Sequence, residues 1–553
     1  MTLAARSLLT LSTTSGQWRR RSLSSVGSKF LDPLKRVESL VSRMTDKEGH
    51  VDGAPAVTRE DARDLLACIQ LMRPAEISLV IHYMTKGKYE DRNFWRDICR
   101  ELRTSTAIAS FRVRDLSMII SSLNAAELLD AETLTCLSSK IEEAACTLNM
   151  DSLMPLIMTY VKLSDTGVAS SEGCLKALGA TDFRPVTSIC AEYLLRRLDA
   201  VSADNVVEIF SGLATLKYEG DHFYEALLRK SRAWIPTMPY ESVAILLQSM
   251  AKVRIRDKEL EGKVALRLAA DIDKAATEAE ISEIALWMGS LTHHFSKLAG
   301  EPHPTLQKTI VNHLPLVVHA MSPECLMLMI PPLPLLLTGT PPRSFRDAVF
   351  SEKCRQELSS FVKEGLCAIM SSAYRLGFTY DTTWWEEASE ATMKPVMGNA
   401  WSAVSVATVA YQLTHLGEAE HNIHATLDQL RTFCEIRCKW FDRVGASLET
   451  QMKRWPPRPV STLLACYIRI GECPPSVLVG AWERVRADIR NYDGMSLTQV
   501  VNAMAKFNSI NIPILEEIER RFKSGRVKFS RSQLRAVKRA YESMGRDRSC
   551  MAS

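Results

Sequence analysis

Apolar residues recur along this chain at two nested spacings, three or four residues apart locally and about 37 residues apart over most of its length. Tyr83, Leu123, Tyr160, Leu213, Met250, Met288, Ile330, Ala373, Leu413, Tyr467, Met504 and Tyr541 mark the longer period. Successive gaps are 40, 37, 53, 37, 38, 42, 43, 40, 54, 37 and 37 residues, so two of them exceed the common value by 16 and 17, the size of a loop insertion. A fixed period of this length marks a repeat architecture.

The short spacing predicts what each repeat is made of. Four residues before each marker stand Leu79, Ile119, Leu156, Ile209, Leu246, Ile284, Leu326, Ile369, Val409, Leu463, Val500 and Val537. Three after come Ala126, Leu163, Leu216, Val253, Leu291, Leu333, Leu376, Leu416, Ile470, Phe507 and Met544, with Lys86 the one polar exception. Steps of three and four place these side chains on one helical face. Breaks at Asp221, Asp257, Gly417, Pro474 and Pro513 follow, and then a second helix-period stretch such as Leu515, Ile518 and Phe522. Neither helix buries its stripe alone, so neighbours must stack. The expected fold is all-α, a right-handed α-solenoid of about twelve helix-turn-helix repeats over residues 59–548, with a short tail at 549–553.

Composition fits a large helical protein, with 46% hydrophobic and 24% charged residues. No apolar run reaches the roughly 18 residues of a membrane helix. The richest stretch, Leu326 to Leu337, is interrupted by Pro331, Pro332 and Pro334 and reads as a proline-broken repeat whose loop ends at Pro341 and Pro342. No membrane span is expected.

Residues 1–30 follow other rules. They hold Arg6, Arg19, Arg20, Arg21, Lys29 and seven serines, with no acidic residue before Asp32. An arginine- and serine-rich, acid-free start is the signature of an organellar transit peptide, with a plausible cut after Leu23 and the mitochondrial matrix as destination. Residues 31–58 read as a linker.

Those five basic residues account for the whole net charge of +5, which leaves the mature chain neutral but uneven. From Arg520 to Arg548 eleven basic residues face only Glu542 and Asp547. A terminal repeat charged +9, including Arg531, Arg535, Lys538 and Arg539, attracts phosphates; a solvated capping helix is the competing reading. Two residues after the marker, Lys162, Lys252, Arg375, His415, Arg469 and Lys506 form a discontinuous ladder. Such a ladder tracks a phosphate backbone, although cations near a helix C-terminus also simply suit the helix dipole.

Chemistry-bearing motifs are missing. There is no phosphate-binding glycine loop, no His-Glu-x-x-His and no nucleophile elbow, so no enzyme, cofactor or metal is expected. The cysteines read as small core residues without a disulfide framework. His421, His424, Cys434 and Cys438 have zinc-like spacing but fall on separate segments, and ordinary helix-face residues explain them better. Trp384-Trp385 reads as interface packing, with an aromatic base platform as the other possibility.

The stretches 242–253 (SVAILLQSMAKV) and 497–507 (LTQVVNAMAKF) resemble the 37-residue heptatricopeptide-type repeats. Those repeats belong to organellar RNA-binding proteins, including FAST kinase-like mitochondrial proteins and helical-repeat subunits of RNA-editing substrate-binding complexes. The resemblance covers most of residues 60–545 and implies binding of mitochondrial RNA (mRNA or rRNA) among other ribonucleoprotein subunits, in processing, editing, stability or ribosome assembly. Many relatives end in a small RAP domain, whereas Leu534 to Arg548 here read as a further repeat helix, so no nuclease-like activity is expected to carry over. The alternative is a protein-binding scaffold of a mitochondrial complex, favoured by the near-neutral body.

Overall fold

The computed structural model describes residues 58–104, 110–166, 184–361, 364–418 and 425–546. The segment read as a transit peptide, nearly all of the residues read as a linker and the tail lie outside them. Among the described residues every regular element is helical, and no helix is long and apolar enough to cross a membrane. The chain divides into two compact units, Met1–Arg229 and Lys230–Ser553.

The first unit contains α1 (Arg59–Cys68), α2 (Pro74–Lys86), α3 (Arg92–Thr104), α4 (Val113–Ala125), α5 (Ala131–Glu143), α6 (Met150–Thr166), α7 (Arg184–Leu195) and α8 (Ala203–Thr215); α9 (Asp221–Trp234) spans the division. Each helix packs on its second neighbour: α2, α4, α6 and α8 in one layer, α1, α3, α5 and α7 in the other. Alternation of this kind is the helical-repeat stacking that the period requires.

The second unit continues with α10 (Tyr240–Lys252), α11 (Lys258–Lys274), α12 (Glu278–Phe295), α13 (Pro304–Val317), α14 (Pro323–Met329), α15 (Leu333–Leu336), α16 (Arg343–Arg346), α17 (Gly365–Arg375), α18 (Thr382–Met397), α19 (Ala403–His415), α20 (Leu427–Met452), α21 (Pro457–Ile470), α22 (Pro475–Asp488), α23 (Gly494–Lys506), α24 (Ile512–Lys523) and α25 (Arg531–Ser543). Here α10, α12, α14, α17, α19, α21, α23 and α25 pack in succession as the first layer. Behind them α18, α20, α22 and α24 stack in turn.

From Leu123 to Tyr541 every period-marking residue is at most 1% exposed. The residues four before them are buried as well, apart from half-buried Ile284. Only the first repeat departs from this register. Tyr83 and Leu79 are half-buried, whereas Val80 and Met84 are sealed at 1% and 0%. Met84 is therefore the true marker, and Lys86 ceases to be an exception because it lies outside the buried stripe.

The marker also ends its helix in a repeated way. The residue four positions after it has positive φ at Lys88 (52°), Glu127 (58°), Lys217 (56°), Arg254 (57°), Gly377 (76°), Gly471 (96°), Asn508 (47°) and Gly545 (71°). One residue further on, Tyr89, Leu128, Tyr218, Ile255, Phe378, Ser509 and Arg546 donate their N–H to the carbonyls of Met84, Leu123, Leu213, Met250, Ala373, Met504 and Tyr541 at 2.8–3.2 Å. This is the Schellman closure, which satisfies orphan carbonyls and turns the chain sharply toward the second helix.

The proline-broken repeat is as expected: α14 stops at Met329, Ile330 sits fully buried in the turn, and α15 carries Leu333 and Leu336 inward. The second long gap differs from the loop insertion read from the sequence. Its described part extends helix α20 to 26 residues, against 14 for α22. A capping box between Thr426 and Gln429 starts α20, and Phe433, Ile436, Trp440, Phe441, Val444 and Leu448 keep a buried stripe unbroken along it. Without a breaker, the added residues propagate helix.

Candidate functional site

Five of the six ladder residues lie where first-layer helices end, and Lys162 stands four residues before the end of α6. Lys252, Arg375, His415 and Lys506 are the last residues of α10, α17, α19 and α23, and Arg469 is next to last in α21. Arg375, Arg469 and Lys506 are exposed and His415 is half-buried. Because α17, α19, α21 and α23 pack consecutively, these four positions form an uninterrupted row in the second unit. Lys252 is exposed but separated from that row by two repeats carrying Ser290 and Pro332 at the equivalent place. Lys162, also exposed, belongs to the first unit.

Lys88, Lys217 and Arg254 add exposed basic side chains two residues beyond the ladder position, all on left-handed backbone where glycine is the least strained residue. Charge numbers alone hid them; counting four residues past each marker would have found them.

The terminal repeat divides into surface and structure. Arg531, Arg535 and Arg539, four residues apart on α25, are exposed and Lys538 is half-buried. Arg521, counted with them in the basic stretch, is only 7% exposed and is not available to a partner. It donates to the carbonyls of Ile489, Arg490 (3.1 Å) and Tyr492 (3.3 Å) at the end of the preceding second-layer helix. Arg484 does the same to Trp455 (2.6 Å), and Arg267 to Ile235 (2.6 Å) and Met238. All three stand 17 residues after a marker, Met250, Tyr467 and Met504. A guanidinium donating to helix-end carbonyls, buried at Arg521 and half-buried at Arg484 and Arg267, is a recurring inter-repeat clamp.

Beside the row stands Tyr411, 45% exposed. Its ring lies 4.1 Å from the His415 imidazole, centroid to centroid, at 27° between planes. His415 Nδ1 is 2.7 Å from the Tyr411 carbonyl oxygen, which only accepts, so Nδ1 carries the hydrogen and Nε2 is the other ring nitrogen. Burial, and then the charges of Arg469 and Arg437, hold this imidazole below its ordinary pKa. Trp384 and Trp385, by contrast, are fully buried; Trp385 Nε1 donates to the Phe378 carbonyl at 2.8 Å and Trp384 packs edge-on to Phe378. The tryptophan pair is therefore packing and offers no platform.

Most described cysteines are buried, but Cys146, Cys434 and Cys438 are exposed. Cys434 and Cys438 lie one turn apart on α20, and Arg437 Nη2 approaches Cys434 Sγ at 3.5 Å. His421 and His424 fall outside the described residues. Burial pushes the Cys190 thiol up to about 12 and those of Cys325 and Cys367 up to about 11, so these thiols stay protonated at neutral pH.

No protein-family model matches the chain, and comparison with curated proteins gives no match. Among structures, it is similar to a chain of a homology model of the full-length AP-3 complex in an intermediate open conformation. That chain is 12% identical, with all of this chain and 92% of that one covered and a TM-score of 0.26. A likeness at that score carries no argument.

Proposed function

We propose that the protein binds single-stranded RNA non-catalytically through the ends of its first-layer helices, as part of a mitochondrial ribonucleoprotein that processes, edits, stabilises or assembles organellar RNA. The observation that carries this reading is the row Arg375, His415, Arg469 and Lys506 on consecutive packed helices, followed by Arg535 and Arg539 on α25. Polar groups repeated at the pitch of stacked helices suit a partner that is itself a regular chain of charges. The transit-like start and the repeat resemblance support the organellar setting.

A second reading, a scaffold for protein partners, is favoured by the two repeats where the ladder is interrupted. There Leu286 and Leu328, four residues before Ser290 and Pro332, are 52% and 39% exposed. Neighbouring exposed leucines on packed helices suit an apolar partner helix.

Crosslinking the protein to RNA in living cells, followed by sequencing of the attached RNA, tests the choice. Organellar transcripts enriched over a control, and lost when Arg375, Arg469 and Lys506 are changed to Glu, support RNA binding. No enriched RNA, together with a protein partner lost on Leu286→Glu and Leu328→Glu, establishes the scaffold instead.

A further inference from the structure

We infer that Tyr411, backed by His415 and flanked by Arg375 and Arg469, is a stacking site for one base of a bound single strand. The inference deepens the RNA reading and rests on it. Among the described residues Tyr411 is the one exposed Phe, Trp or Tyr, and it stands beside the basic row. Its place is one turn before His415 on α19, the helix that packs between α17, bearing Arg375, and α21, bearing Arg469.

The local geometry favours a flat ligand. The imidazole already covers part of the phenol ring at 4.1 Å, so that Tyr411 is held by a second ring rather than by rotamer choice alone. A base laid on the exposed part of the phenol extends this stack to three rings, and a held ring loses less rotamer freedom on binding. Phosphates on either side of that base face arginines of the two adjacent repeats. Because His415 Nδ1 holds its hydrogen on the Tyr411 carbonyl, Nε2 presents a lone pair while the ring is neutral. It is suited to accept from a base amine or a ribose hydroxyl. The charged groups acting on this imidazole are Arg469 and Arg437, both of which favour its neutral form.

Stacking and charge give different signatures, which makes the site testable on the full chain. A fluorescein-labelled single-stranded RNA and an abasic strand of equal length and charge are titrated against wild type, Tyr411→Ala, Tyr411→Phe and Arg469→Ala. Tyr411→Ala is expected to weaken the base-bearing strand about tenfold, leaving the abasic strand and the salt slope unchanged. Tyr411→Phe keeps wild-type affinity because the hydroxyl is not required. Arg469→Ala weakens both strands and lowers the salt slope by about 0.7. If Arg469→Ala acts as described but Tyr411→Ala binds base-bearing RNA like wild type, the stacking site is refuted while RNA binding stands. If wild type binds neither strand at low salt, the RNA reading fails and the stacking site fails with it.

Discussion

Arg484 Nε donates to the carbonyl oxygen of Trp455 across 2.6 Å, tying α22 to the end of the helix stacked before it. Thirty-seven residues later Arg521 makes the equivalent tie to Tyr492, so the clamp repeats with the sequence period. Replacing Arg521 with Met removes the donor to the carbonyls of Arg490 and Tyr492 and should destabilise the protein by about 2 kcal/mol. RNA affinity and its salt slope should stay near wild type, because this arginine faces the core. Urea unfolding and RNA titration on one preparation measure both; an unchanged midpoint with weakened RNA binding would move Arg521 to the surface.

The left-handed cap residues supply a stability test of opposite sign. Arg254 holds φ at 57° with a long side chain, and glycine takes that conformation without Cβ strain. Arg254→Gly should therefore raise stability by about 0.5–1 kcal/mol, whereas Gly471→Ala, at φ 96°, should lower it by a similar amount or more. Equal effects of the same sign would contradict the shared cap.

Gly480 marks a place where two helices touch through backbone. A Cβ there would lie 2.9 Å from the Glu449 carbonyl oxygen, so α22 would have to move away from α20. Gly480→Ala, normally favourable inside a helix, should instead cost about 1–3 kcal/mol. A neutral or stabilising outcome in thermal melts would mean that the two helices are further apart.

Acidification below neutrality should weaken the fold through its half-buried histidines. Burial, as the largest cause, lowers the pKa of His82, His293, His294 and His415 below the ordinary 6.5. In that window the unfolded chain binds protons that the folded chain refuses, so stability falls as pH drops from about 7 to about 5. Urea midpoints at the two values measure the drop, and His294→Gln should reduce it. A midpoint constant across the window would contradict the burial of these rings.

The repeat was legible because eleven of its markers are sealed core residues, and a period in burial is a period in sequence. Tyr83 misled because Met84, beside it, is equally apolar and only packing distinguishes them. The long α20 was hidden because extra residues lengthen the gap identically whether they form loop or helix. Arg521 looked like surface charge, since sequence does not show whether a guanidinium meets solvent or a helix-end carbonyl. Tyr411 escaped notice for the opposite reason: a single exposed tyrosine has no period and is picked out only by the His415 ring against it.

The most direct test is the salt dependence of single-stranded RNA binding by the full chain. Wild type is compared with Arg375, Arg469 and Lys506 changed to Glu, and separately with Arg531, Arg535 and Arg539 changed to Glu. These six side chains are exposed, so both variants should keep wild-type helicity. Tight binding at low salt is expected, with a log–log slope that flattens by about 0.7 for each phosphate contact removed. Undetectable binding at low salt, or two charge-reversed proteins that bind as wild type does, would contradict it.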